Sequence, residues 1–183
     1  MGIILSSVGM VGLLAAPPGL LWQGHPVHPG CIRELRTELA DSKPVVAAID
    51  LEGCGRSNRY ADEFETDGQV LRLRDSGEDS RGYFQYEYLG VLSTGVHVVQ
   101  IVESGGGSGI FQGLLYLRVE KAAVLEDGQA RAREMLVLVG SESLGDRDKN
   151  VIELSGDSVT IRRREFRGAL GYGPEETVTR RVR

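Results

Sequence analysis

VHVVQIVE (residues 96–103), SGGGSG (104–109) and IFQGLLYLRVEK (110–121) follow one another without a break and decide the fold of this chain. The two outer runs are rich in β-branched and other apolar residues, a composition that predicts β-strands. A short glycine-containing connection between two such runs predicts a hairpin. Residues 96–103 and 110–121 are therefore predicted to pair as central strands of an antiparallel sheet.

Similar short strands are predicted along most of the chain. Polar segments at 58–68, 75–82 and 145–150 are predicted loops, and residues 155–158 (SGDS) a tight hairpin turn. One helix is predicted near the N-terminus, because Ile32, Leu35 and Leu39 recur at helical spacing before Pro44. Seven to nine short strands favour an antiparallel β-sandwich or barrel with one short helix. The further strands are predicted at 45–50, 70–74, 83–89, 135–139, 151–154, 159–164 and 177–182.

The N-terminal region is distinguished by charge. Residues 1–32 contain no Asp, Glu, Lys or Arg, and the apolar run at 3–16 has the length of an export signal. We expect residues 1–30 to be a leader ending in an unstructured approach at 23–30, and residues 31–183 to form a single β-rich domain. The run lacks a basic start and is followed by Pro17, so a membrane anchor or a cytoplasmic protein with an incorrect start codon are alternatives.

The two cysteines, Cys31 and Cys54, are the only ones in the chain. In a secreted or periplasmic protein they are predicted to form a disulfide, which closes a loop and stabilises by about 3 kcal/mol. Two free buried thiols or a lipid-modified Cys31 are the alternatives. His25 and His28 lie on a proline-rich segment without a third ligand, so no metal site is predicted.

The net charge of the chain indicates which classes of partner it can bind. The chain has a formal net charge of −5, which argues against nucleic-acid binding. Residues 161–183 are arginine-rich, as is typical of the solvent-facing side of a sheet, although an anion-binding edge is also conceivable. No membrane span is expected in the mature chain.

The glycine segment is the one stretch whose composition suggests a ligand or partner loop. Glycines there free the backbone to approach a partner, and loops on a rigid scaffold commonly carry recognition. A phosphate-binding loop would need a following lysine and a helix, which are missing, so no cofactor is expected. A serine nucleophile would need a base from another element, whereas His97 lies in the same strand. The candidate residues are Ser104, Gly105, Gly106, Gly107, Ser108 and Gly109.

An aromatic face and two pairs of carboxylates bear on whether the protein binds a ligand or catalyses a reaction. An aromatic face at positions 84, 86 and 88 is predicted to pack in the core or to line an apolar cavity. Two carboxylate pairs are conceivable, Asp50 with Glu52 on one strand face and Glu87 with Glu103 across strands. No catalytic residue is predicted. We expect an exported, non-catalytic binding protein for a small ligand or a protein partner. The alternative is a secreted hydrolase built from carboxylates.

Overall fold

The structure, a computed structural model, describes residues 19–35, 46–55, 63–77 and 80–183. These residues are mostly β-strand, as predicted. The helices are α1 (Pro29–Leu35), α2 (Leu51–Gly55) and a short 3-10 turn (Gly168–Leu170). The strands are β1 (Leu21–Trp22), β2 (His25–Pro26), β3 (Ala48–Asp50), β4 (Glu65–Asp67), β5 (Val70–Arg74), β6 (Gly82–Val91), β7 (His97–Gly105), β8 (Phe111–Glu126), β9 (Gln129–Asp146), β10 (Lys149–Ser155), β11 (Ser158–Phe166) and β12 (Tyr172–Arg181).

The strands form two main sheets, and every pairing among the described residues is antiparallel. The larger sheet has seven strands in the order β3-β9-β8-β7-β6-β5-β4, and the smaller has three in the order β10-β11-β12. The predicted hairpin of residues 96–121 is confirmed, since β7 and β8 are neighbours in the middle of the larger sheet. This arrangement confirms the predicted antiparallel class and is consistent with a sandwich.

Each face of the larger sheet carries its own apolar core. On one face, α1, α2 and their flanking residues cover the alternate side chains of β6, among them Phe84, Tyr86 and Tyr88. On the other face, the smaller sheet covers β7, β8 and β9, with Val159 and Ile161 packed near Leu114. The period-two alternation of apolar residues explains why one strand supplies both cores.

The N-terminal approach differs from its prediction. Residues 23–30, expected to be unstructured, form a turn, the short strand β2 and the start of α1. Gln23 and Gly24 both have positive φ, which allows a tight turn between β1 and β2. Leu20 and Val27 on either side are buried in the core, so the packed part of the chain begins before residue 31. Residues 1–18, which hold the apolar run of the predicted leader at 1–30, lie outside the described residues.

Two further differences concern local structure, and one prediction of local structure is not tested. β4 occupies part of the segment predicted as an acidic loop, pairing with β5 from Glu65 to Asp67. α1 ends at Leu35, and the predicted continuation to Leu39 lies outside the described residues. β8 continues past its predicted end at 121 and β9 begins before its predicted start at 135, because a two-residue turn with positive φ at Asp127 and Gly128 joins them directly. β9 also runs past its predicted end at 139, to Asp146.

The predicted disulfide is present. Cys31 in α1 and Cys54 in α2 are joined by a bond of 2.16 Å, and both are buried in the core beneath the larger sheet. The bond therefore fastens the N-terminal helix to the segment that leads out of β3. Among the described residues no helix is long and apolar enough to cross a membrane.

Three buried tyrosines predict a loss of stability at high pH. Burial raises the pKa of Tyr86 and Tyr88 above their usual value of 10.0 and that of Tyr116 to about 12. The unfolded chain ionises these phenols near pH 10, whereas the folded protein keeps them protonated. We therefore expect the free energy of unfolding to be unaffected below pH 10 and to fall between pH 10 and 12.

Urea unfolding across this pH range measures the effect, and absorbance of the phenolate reports ionisation in the folded protein. Tyr86→Phe is the matched control, because it removes one of the buried phenols and should make the fall shallower. Ionisation of every tyrosine near pH 10 in the folded protein would contradict the prediction.

Candidate functional site: the loop end of the sandwich

Three connections meet at one end of the sandwich, which we call the loop end: residues 104–111, 145–149 and 166–172. Strand register brings them together, since Phe111 at the start of β8 lies opposite both Glu103 of β7 and Asp146 of β9. In the smaller sheet, Phe166 pairs with Tyr172 across the β11–β12 connection. The glycine segment predicted as a binding loop is therefore one of three neighbouring parts.

The first half of the glycine segment belongs to the sheet. Ser104 is 5% exposed, and its hydroxyl accepts a hydrogen bond from the Gly106 N–H at 3.3 Å. Gly105 pairs with Gly82 of β6. At Gly106, φ is +86° and an added Cβ would lie 3.2 Å from the Gly82 nitrogen. These three residues shape the turn: Ser104 is buried, whereas Gly105 and Gly106 are exposed but offer a partner only their backbone.

The second half forms the tip of the segment. Gly107 and Ser108 are exposed, and a Cβ built at Gly107 would meet nothing within 4 Å. Gly109 lies against the ring of Phe111, which a Cβ there would approach to 3.1 Å. Within this segment the exposed side chain of Ser108, with the neighbouring Phe111, is placed to contact another molecule.

The two halves predict different responses to alanine. Gly106→Ala should lower the free energy of unfolding by about 1–2 kcal/mol, because an L side chain is disfavoured at positive φ and would crowd β6. Gly107→Ala should change it by less than about 0.5 kcal/mol, since it meets open space. Chemical denaturation of the two variants measures both values. Equal losses in the two variants would contradict this division.

The β9–β10 turn is fixed to the glycine segment by hydrogen bonds in both directions. The Ile110 N–H donates to the Asp146 carboxylate at 2.7 Å, and the Arg147 N–H donates to the Ile110 carbonyl at 2.8 Å. The bond from Ile110, with a smaller contribution from Arg147, lowers the pKa of Asp146 below its usual value. Two separate loops are thus held in one geometry.

Asp148 connects the same turn to the smaller sheet. It is 8% exposed, and its carboxylate accepts the Phe166 N–H at 2.8 Å. Its carbonyl accepts the side-chain amide of Gln112 at 2.8 Å, which adds β8 to the network. A Cβ at Gly145 would lie 2.2 Å from an Asp148 carboxylate oxygen, so a side chain there would displace the acid.

Cations and aromatic rings lie side by side over this network. The Arg147 guanidinium is 4.4 Å from the centroid of the Phe166 ring, and the Phe166 and Tyr172 centroids are 5.5 Å apart. The Lys149 ammonium is 4.3 Å from the Tyr172 centroid. These distances are within the range of favourable cation–π contacts. The surface thus combines aromatic rings with the cationic side chains that contact them.

Large apolar side chains are exposed at the same end. Phe111 is 45% exposed and Leu170, on the 3-10 turn, is 86% exposed. Sequence reasoning singled out the glycines but missed these residues. Two features of the sequence could have indicated these exposed connections: Leu170 lies between Gly168 and Gly171, and an Asp-Arg-Asp run at 146–148 lies inside a predicted loop. Which loops become neighbours depends on pairing between distant strands, and local pattern does not contain that information.

The structure places both predicted carboxylate pairs differently from their predictions. Glu52 lies in α2 rather than on a strand face with Asp50, so that prediction is wrong, and both contact Arg133. Glu103 pairs in register with Phe84, not Glu87, and forms an ion pair with Arg33 at 2.9 Å. The geometry of the two pairs is therefore that of ion pairing rather than of opposed acids across a cleft.

His97 lies at the opposite end of β7 from Ser104, as the sequence indicated. Its ring nitrogen Nδ1 is 3.0 Å from the Tyr88 hydroxyl, and burial lowers the pKa of the imidazole. Over the residues that the structure describes, no group of three potential metal ligands is present.

The arginine-rich C-terminal stretch lies on the smaller sheet and beside β9. Its side chains are largely engaged in ion pairs: Arg162 with Glu153, Arg163 with Glu176, Arg167 with Glu165, Arg180 with Glu142 and Arg181 with Asp157. An open depression of about 460 Å³ lies between β9 and the end of β12, with Tyr116 in its lining. The pairing favours the interpretation of these arginines as a solvent-facing surface.

The fold is mainly β with two main sheets, and hydrogen bonds join three neighbouring connections at the loop end. No protein-family model, no curated protein and no solved structure matches this chain. Function is therefore argued from the loop end itself.

Proposed function

We propose that this chain is a non-catalytic binding protein whose loop end contacts a protein partner. The observation that carries the proposal is the exposure of Phe111 and Leu170 on connections that are held by partly buried hydrogen bonds and by the backbone bonds of the 3-10 turn. Aromatic residues and arginine are enriched where proteins bind one another, and a fixed surface loses little conformational entropy on binding. Arg147 and Tyr172 add such residues beside the apolar ones.

The burial of the aromatic face supports a protein partner over a small ligand in a cavity. Phe84 is 0% exposed, Tyr86 1% and Tyr88 7%, and all three belong to the apolar core on the helical face of the sheet. The Tyr86 hydroxyl donates to the Val27 carbonyl at 2.5 Å, so its one polar group is used within the fold. These side chains contribute stability rather than a ligand site.

The carboxylate hydrolase has less support. The acids that could have formed a pair lie beside Arg33 or Arg133, and the ion pairs join separate elements of the fold. A glycosidase-type pair needs two carboxyl groups facing each other across a substrate cleft. Asp50, Glu52 and Glu103 instead form ion pairs with arginines of other elements, which is a structural role.

We further propose that the protein is exported, to the cell surroundings or the periplasm. The Cys31–Cys54 disulfide supports an oxidising compartment. Because Leu20 is buried in the core, removal of a leader would have to occur before that residue. Intact mass of protein isolated from its native compartment should show a chain lacking the leader and two hydrogens lighter than the dithiol. A full-length chain with two titratable thiols would contradict export.

A charge introduced at the loop end tests the binding proposal. Leu170→Asp and Phe111→Asp should abolish retention of the partner from a native extracellular or periplasmic fraction. Val151→Asp is the matched control, because Val151 is also an exposed apolar residue, 51% exposed, but lies on β10. We expect the wild type and the control to retain a protein that neither loop-end variant retains. Equal retention by all four forms would contradict the proposal.

A further inference from the structure

The hairpin of β8 and β9 extends beyond the sandwich as a two-stranded ribbon, residues 118–126 and 129–134. β7 begins at His97, which pairs with Leu117 of β8. From residue 118 onward, β8 therefore has no described strand on its outer side. Among the described residues, Ala47 and β3 cover the outer side of β9 from Met135 to Leu138. A two-stranded ribbon is marginally stable in water, and its open edges are templates for another strand.

Hairpin geometry shows which backbone groups point outward from β8. The two-residue turn at 127–128 makes residues 126 and 129 a hydrogen-bonded pair, whose N–H and C=O groups point at each other. In the next pair, 125 and 130, these groups point away from the ribbon instead, and the two kinds of pair alternate along the hairpin. The bond from the Leu138 N–H to the Ala47 carbonyl, 2.8 Å long, agrees with this parity on β9. The outward positions on β8 are therefore 119, 121, 123 and 125.

We propose that the outer edge of β8 pairs with the same edge of a second copy of this chain, antiparallel and with its two-fold axis at Ala122. Val119 then lies opposite Leu125 of the second copy, and Lys121 lies opposite Ala123. All four outward positions become hydrogen-bonded, and two ribbons join into a four-stranded sheet. Val119 and Leu125 share one ribbon face and are 42% and 82% exposed in the single chain.

The charges of the ribbon favour a second copy in this register. With the axis at Ala122, Glu120 lies opposite Val124 of the second copy and Lys121 lies opposite Ala123, so neither charged residue lies opposite a residue of like charge. Shifting the axis to Glu120 or Lys121 would place a like charge opposite itself, which destabilises a strand pair. Apolar Val119 and Leu125 come into contact only through the second copy.

The other edge of the ribbon is unsuited to the same pairing. A two-fold axis at Arg131 of β9 would place that arginine opposite its own copy, and an axis at Ala132 would place Arg131 opposite Arg133. β3 also ends the free edge at Met135. Ala123 and Ala132 lie opposite each other within the ribbon, one on each edge, and therefore provide matched positions for variants.

Sedimentation equilibrium of the full chain tests the dimer. We expect the wild type to approach twice the chain mass as concentration rises, Ala123→Pro to remain monomeric because it removes an outward N–H of β8, and Ala132→Pro to dimerise like the wild type. A monomeric wild type, or a dimer that persists in Ala123→Pro, would overturn the proposal. If both proline variants were monomeric, Leu125→Asp would decide: dissociation supports the β8 edge, and an intact dimer overturns it.

A cysteine at the two-fold axis tests the register. Ala122 would form a non-hydrogen-bonded pair with itself, with Cα atoms about 4.5 Å apart, a separation that a disulfide can bridge. Ala122→Cys should oxidise almost completely to a covalent dimer, whereas Ala132→Cys should not exceed random cross-linking. Equal cross-linking of the two variants would overturn this register. Leu170→Asp should leave the dimer intact, so this proposal and the loop-end proposal can fail separately.

Discussion

Loss of the Cys31–Cys54 disulfide is expected to lower the free energy of unfolding by about 3 kcal/mol. The two sulfurs join α1 to α2 and close a loop with a sequence separation of 23 residues. In the chain-entropy description, cutting this link restores conformational freedom to the unfolded chain, and that freedom opposes folding. Chemical denaturation of Cys31→Ala/Cys54→Ala against the oxidised wild type measures the loss.

Reduction of the wild type provides the control for this variant. The reduced protein keeps its own side chains in the core, where both cysteines are buried, so it separates loss of the bond from loss of packing. A similar loss in the reduced protein and the double variant is expected. A reduced wild type as stable as the oxidised one would contradict a stabilising role for the bond.

Phe84→Ala is expected to cost about 3–5 kcal/mol of stability. The Phe84 side chain is 0% exposed and packs in the core between the larger sheet and the helical segment. Truncation removes apolar contacts and leaves a cavity that the surrounding β-sheet can close only partly. Thermal or chemical unfolding measures the effect, which is large relative to the total stability of a typical domain.

A matched variant on the same strand sharpens this result. Val91→Ala also lies on β6, but Val91 is 54% exposed, so a change within about 0.5 kcal/mol is expected. The comparison also separates core packing from a ligand cavity. If the aromatic face lined an open cavity, Phe84→Ala would have an effect as small as that of Val91→Ala, and a small-ligand site would regain support.

The sequence predicted the strands well where alternation was strong. Val70–Arg74 has the predicted bounds, and β7 and β8 form the predicted central hairpin. Failure was greatest where the local pattern was weak. The outer ribbon mixes alanines and charges with few large apolar residues and without strict alternation, so its strands were predicted to stop at 121 and to start only at 135. The Asp127–Gly128 turn extends the hairpin regardless of that composition.

The N-terminal approach shows a second limit of local pattern. Prolines and glycines between 23 and 30 predicted irregular structure, yet Val27 and His28 are almost fully buried. The turn at Gln23–Gly24 folds this segment back so that Val27 donates its N–H to the Leu20 carbonyl at 3.0 Å. Burial against a distant sheet, which no short window of sequence reveals, determines its conformation.

The candidate site was predicted in part. The glycine segment does lie at an exposed end of the sandwich, but Ser104 is buried and Gly106 lies close to β6, so these two residues shape the turn. The residues with most to offer a partner come from the β8 start and the β11–β12 connection. Their proximity is created by Asp146 and Asp148, whose carboxylates bond the backbones of Ile110 and Phe166. Such long-range polar contacts leave no periodic signal in the sequence.

Site-specific photo-crosslinking tests the central claim most directly. A benzophenone amino acid replaces Leu170 at the loop end or Val151 on β10, and the protein is irradiated in its native compartment. The account predicts that position 170 forms a discrete cross-linked product with one protein partner, that position 151 does not, and that Phe111→Asp removes the product. Equal cross-linking from both positions, or none from position 170 alongside a product from position 151, would contradict binding through the loop end.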